Sequence, residues 1–188
     1  MNPTAKEIQA TKDFELGPTS NSTVESASSR RAQLLADRIE LGADVLASFV
    51  EGLSETEWHI PVSASDHRSI GLIVHHVASM YPIEIEVART HSRGNAVADV
   101  SWDVVAKLNA QHAQEHAGVT KAAALELLRR TSRQAADAVR AFTDEELDRA
   151  APFSLSYGAP VTAQFVIEDH ALRHSWHHLA RIRTAVGR

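Results

Sequence analysis

The sequence predicts an all-α fold, a four-helix bundle whose long helices are joined by short helical turns. Three observations carry this. Apolar residues recur at three- and four-residue steps along most of the chain, no region sustains strand alternation, and the long segments are punctuated by helix-capping signals. At 188 residues, 44% apolar and 23% charged, the chain can bury one sizeable core without metals or disulfides to hold it together.

Residues 1–27 hold Pro3, Gly17, Pro18 and the polar stretch Thr19-Ser20-Asn21-Ser22-Thr23, with no sustained apolar period. They read as a flexible N-terminal arm, and 28–188 as the bundle. Leu35, Ile39, Gly42, Leu46, Phe49 and Leu53 define a first amphipathic helix. Ser54-Glu-Thr-Glu57 has capping-box spacing and predicts a short turn ending before Pro61. A second helix is expected from about Arg68 to His91, with Pro82 inside it removing one hydrogen bond and bending it. Gly94-Asn95 ends that segment. Ser101 caps a helix reaching about His116 and closed by Gly118. Thr120 caps the next, with Ala123, Leu127, Ala138 and Phe142 among its apolar positions. A second capping box, Thr143–Glu146, precedes Pro152 and the loop Ser154–Pro160. A last helix is then expected from about Thr162 to Ala185.

Composition excludes several classes of function. A net charge of −5 and a pI near 6.1 argue against a nucleic-acid or anionic-membrane binder. No apolar run reaches the length of a membrane helix. The early residues Lys6, Glu7, Lys12, Asp13 and Glu15 lack the basic-then-apolar pattern expected of a signal peptide. Without cysteine there is no disulfide, thiol nucleophile or thiolate metal site, and a cytoplasmic setting fits best.

The 11 histidines are the unusual feature. At about 100° per helical residue, His174 and His178 share a stripe with Ile167, Ala171, Ile182 and Ala185. Phe165, Leu172, Trp176 and Leu179 form a second apolar face, which would pack inside the bundle or against another subunit. On the second helix His76 is centred among Leu72, Ile73, Met80, Ile83 and Val87, whereas His75 points elsewhere. Three imidazoles directed into a core would each cost about 1–3 kcal/mol if left unpaired, against a total stability of about 5–15 kcal/mol. A divalent metal satisfies them most directly. His174 and His178 have the i, i+4 spacing of two ligands on one ion, and His76 is the third. Three protein ligands with an open fourth position form the pattern of a catalytic site. His170 with His174 is the alternative pair. His112, His116, Glu84 and His170 are candidate pocket residues, the first three as proton carriers. His59, His67 and His91 read as solvated histidines at loops or helix ends.

The stretches Ser69-Ile-Gly-Leu-Ile-Val-His-His76-Val-Ala and His174-Ser-Trp-His-His178-Leu-Ala-Arg-Ile-Arg183 resemble the DinB-like metalloprotein family. This family is grouped with mycothiol-dependent maleylpyruvate isomerases and bacillithiol transferases. The resemblance covers about residues 28–186 and implies metal-ligand roles for His76, His174 and His178. It further implies a DinB-like bundle, often dimeric, holding one zinc, nickel or similar divalent ion and acting through a low-molecular-weight thiol.

The expected function is therefore a metal-dependent enzyme acting on a small molecule by thiol transfer or hydrolysis. The alternatives are a non-catalytic metal-binding or helix-docking module, and a metal-free histidine pH switch. No H-E-x-x-H, Gly-rich phosphate loop or G-x-S-x-G elbow is present. Arg173, Arg181 and Arg183 read as solvated charges.

Overall fold

In the computed structural model, described over residues 29–188, the chain is built on α1 (Arg30–Glu51), α3 (Ile70–Ser92), α5 (Lys121–Arg140) and a long last helix. Single turns α2 (Glu55–His59) and α6 (Asp144–Asp148) follow α1 and α5, and α4 (Trp102–Glu115) lies between α3 and α5. The expected N-terminal arm lies outside the described residues. Local sequence explains most of the boundaries. Ser69, Ser101, Thr120 and Thr162 each accept a hydrogen bond from an amide three residues on, and both capping boxes form reciprocally. Gly94, at φ 77°, supplies the left-handed turn beyond α3. Pro82 is exposed, and α3 runs through it.

The bundle order follows from the packing: α5 and the last helix each sit between α1 and α3. Ile39, Leu46, Ile73, Val77, Leu128, Val139, Ile167 and Ile182 fill the centre. Polar ties fix the register. The buried Thr131 hydroxyl donates to the Ala78 carbonyl at 2.8 Å, joining α5 to α3. Arg140 pairs with Asp37 and Glu40, joining α5 to α1 at the surface.

Four expectations need correction. A two-stranded antiparallel ribbon, β1 (Ala150–Pro152) with β2 (Pro160–Thr162), closes the loop before the last helix; strands of three residues are too short for a sequence period to show. On α5 the buried stripe is Ala124, Leu125, Leu128, Thr131, Ser132, Ala135, Ala136 and Val139, whereas Ala123 is exposed and Leu127 and Ala138 are half-buried. The last helix is not one regular element: α7 (Ala163–Val166) passes through a π-helical segment, Ile167–Leu172, into α8 (Arg173–Ala185). The wider turn changes the angular register, so a wheel drawn through it misplaces residues on the far side. Phe165, grouped on the wheel with Leu172 and Leu179, is accordingly 44% exposed while those two are buried. Finally, Ile83 is exposed, because the stripe around His76 faces a cavity rather than solid core.

Candidate metal centre

Two helices bring three imidazoles together. His76 lies on α3, and His174 and His178 lie on successive turns of α8; one ligand atom from each falls within 4.8 Å of the others. Ring centroids are 5.1 Å apart for His76 and His174, 5.7 Å for His76 and His178, and 4.9 Å for His174 and His178. The alignment of α3 with α8 is set nearby by a buried hydrogen bond of 2.7 Å between the Tyr81 and Ser175 hydroxyls. At the start of α3, Gly71 lets the Trp58 indole pack where a side chain would collide, and the indole donates to the Val119 carbonyl.

His174 Nδ1 donates to Glu84 Oε1 at 2.7 Å, which leaves Nε2 of a neutral ring with its lone pair. Glu84 is buried, and its other oxygen has no partner. A buried carboxylate on the outer nitrogen of a ligating histidine fixes the tautomer and orients the ring. His178 Nδ1 is likewise buried without a partner. Burial, with His174 as the next contributor, holds the His76 imidazolium down to about 3; the same two causes depress His178. These rings are therefore neutral at physiological pH, the form in which histidine binds a metal. The donor set fits a divalent transition ion.

His76 and Glu84 also line a cavity of about 410 Å³. Its wall is mainly apolar, built from Met80, Ile83 and Val87 on α3, Val104, Val105 and Leu108 on α4, and Phe153 and Leu155 from the connecting loop. Of the expected pocket residues, His112, Glu84 and His170 lie on this wall. His116 instead packs at a tilt against His75, with centroids 4.1 Å apart. Among the described residues His170 joins neither group of three ligand atoms; it is a wall residue whose imidazolium is disfavoured by burial, with His174 among the neighbouring charges.

Two histidines differ from the sequence reading. His91 is fully buried, not solvated; its Nδ1 donates to the Val87 carbonyl at 2.9 Å, and its ring meets Phe153 edge-on. His75, set aside on the wheel, joins His112 and His116 in a second group whose ligand atoms also lie within 4.8 Å. The i, i+4 spacing of His112 and His116 was the available signal; their partner emerges only once α4 is placed beside α3. Arg181 pairs with Asp66 at 2.8 Å, and the exposed Arg173 with Asp169 at 3.0 Å.

The fold is a helical bundle whose converging histidines, beside an apolar cavity, could hold a metal ion. A profile of the DinB superfamily matches residues 38–182, and the chain belongs to that superfamily. Among solved structures it is similar to YfiT from Bacillus subtilis, described as a probable metal-dependent hydrolase with an unusual four-helix bundle topology. That match has a TM-score of 0.69 and 18% identity, covering 87% of this chain and 90% of the other. It shows the shared fold. No curated protein matches significantly.

Proposed function

We propose that the protein is a metal-dependent enzyme acting on a small molecule, with His76, His174 and His178 as the ligands of one divalent ion, zinc or nickel. The observation that carries the reading is the convergence of three buried or half-buried imidazoles beside an apolar cavity of about 410 Å³. Three neutral ligands leave the ion its full positive charge and an open position, where it favours the anionic form of a water or a thiol. Glu84 holds His174 in the ligating tautomer. The wall of Met80, Ile83, Val104, Val105 and Leu108 takes the apolar body of a substrate and excludes water from it. Because the chain has no cysteine, a sulfur nucleophile has to arrive with a cosubstrate, which makes transfer of a low-molecular-weight thiol one branch of the reading and hydrolysis the other. The probable hydrolase described for YfiT supports the second branch. The cavity favours an enzyme over a binding module, which needs no such opening. A cytoplasmic setting and a homodimer complete the reading, although one chain already accounts for much of the second apolar face: Leu172 and Leu179 are buried, and Trp176 lies against Gly42.

Metal content by plasma mass spectrometry tests this on tag-free protein beside His174→Ala and His178→Ala. Both variants are expected to lose one ion per chain while keeping the helical circular-dichroism signal. Variants that keep the full complement would overturn the assignment.

A further inference from the structure

The second histidine group is built from different elements and uses none of the three ligands above. His75 lies on α3 beside His76 but faces α4, whose last turn and C-cap carry His112 and His116. His75 is 9% exposed and the other two are half-buried. The ring centroids are 4.1 Å apart for His75 and His116, 4.7 Å for His112 and His116, and 5.0 Å for His75 and His112.

Hydrogen bonding accounts for only part of this cluster. His75 Nδ1 and His112 Nε2 are 2.9 Å apart and share one proton, and the Ser79 hydroxyl approaches the same Nδ1 at 3.4 Å. His116 makes no side-chain hydrogen bond among the described residues, although its ring packs at a tilt against both of the others. Nitrogens bound to one tetrahedral ion at about 2.0–2.1 Å lie roughly 3.3 Å from each other. The pair at 2.9 Å is already close to that spacing, and all three ligand atoms lie within 4.8 Å of one another.

The position of the cluster gives it a consequence. α4 buries none of its 14 residues, yet it supplies Val104, Val105, Leu108, Asn109, Gln111, His112 and Glu115 to the cavity wall. Trp102, Val104 and Leu108 remain more than 40% exposed. Apolar burial therefore holds this wall weakly, and a cross-link from its last turn to α3 would secure it. We propose that His75, His112 and His116 form a second binding site for a divalent transition-metal ion, and that the ion clamps α4 against α3 and closes the cavity wall. His112 stands between the two groups, its ring 5.6 Å from that of His76, so the second ion would sit beside the first. The clamping role rests on the cavity being the substrate site; the second ion does not.

The test is zinc titration of chelator-stripped, tag-free protein by calorimetry, with exchange of the α4 amides followed by mass spectrometry. Wild type is expected to take up two ions per chain. The double variant H112A/H116A is expected to take up one, as is H174A/H178A. His112 and His116 are half-buried on a helix with no buried residues, so the first double variant leaves the core intact. Zinc is expected to slow exchange across residues 102–115 at least tenfold in wild type and in H174A/H178A, but not in H112A/H116A. One ion in wild type, with H112A/H116A unchanged, would overturn the second site. Two ions with unaltered α4 exchange would overturn the clamp. A second ion retained by H174A/H178A separates this site from the proposed catalytic one, because either can fail while the other stands.

Discussion

Glu84 is the only acidic residue in the buried set among the described residues, and its bond to His174 explains its position better than proton transfer does. A carboxylate that accepts from a ligand's outer nitrogen raises the basicity of that ligand and holds the ring in place. Glu84→Gln keeps the shape and the hydrogen-bonding capacity but removes the charge. Metal affinity at the proposed site of His76, His174 and His178 is expected to fall about 10- to 100-fold. Competition with a chromogenic chelator measures it, and an unchanged affinity would reduce Glu84 to a wall residue. The same residue shows what a helical wheel can resolve. Its spacing places it two turns beyond His76 on α3 and hence near the site, but its partner is 90 residues away on α8. Only the packed bundle supplies that pairing.

At the scale of the elements, the legible features were local and the missed ones came from packing or from a change of helical period. Ser54 with Glu57 and Thr143 with Glu146 are short-range hydrogen-bond patterns, so their spacing announced α2 and α6 correctly. His76, His174 and His178 converge as the wheels indicated, because α8 is regular through both of its histidines. The π-helical turn at Ile167–Leu172 has no comparable signature, and it displaced Phe165 from the face assigned to it. The contact between α2 and α3 was also hidden, since Gly71 gives no sign of what it approaches. A Cβ there would lie 2.4 Å from Cε2 and 2.5 Å from Nε1 of Trp58, which is 1% exposed. Gly71→Ala gains at most about 1 kcal/mol in helix propensity. Moving a buried indole and stretching its bond to Val119 costs about 1–3 kcal/mol. The packing cost is expected to prevail, lowering the urea midpoint with little change in slope. A midpoint at or above that of wild type would show that Trp58 moves aside without loss.

Over the whole molecule, the cost of burying histidines becomes a dependence of stability on pH. His76 and His178 titrate near 6.5 in an unfolded chain and well below it here, His76 down to about 3, because burial and then the neighbouring His174 oppose the charged form. Above about pH 6.5 both states hold these rings neutral, and the groups contribute no pH dependence. Below it the unfolded chain takes up protons that the folded chain refuses, so stability falls as pH falls, by up to about 1.4 kcal/mol per pH unit for each group. His75, whose imidazolium is held down to about 4 by burial and then by His116 and His112, acts in the same direction. Chelator-treated protein is therefore expected to lose melting temperature steeply between pH 6.5 and 5, while remaining nearly level between pH 8 and 7. Replacing one titrating ring, as in His76→Gln, is expected to flatten the acid slope even though it lowers the melting temperature at pH 7.5. Bound metal is expected to move the fall to lower pH, since protons then have to displace an ion as well as charge a buried ring. Thermal melts of the chelated, metal-loaded and H76Q proteins across this range separate the two effects. An H76Q slope equal to that of wild type would show that the acid sensitivity arises elsewhere in the fold.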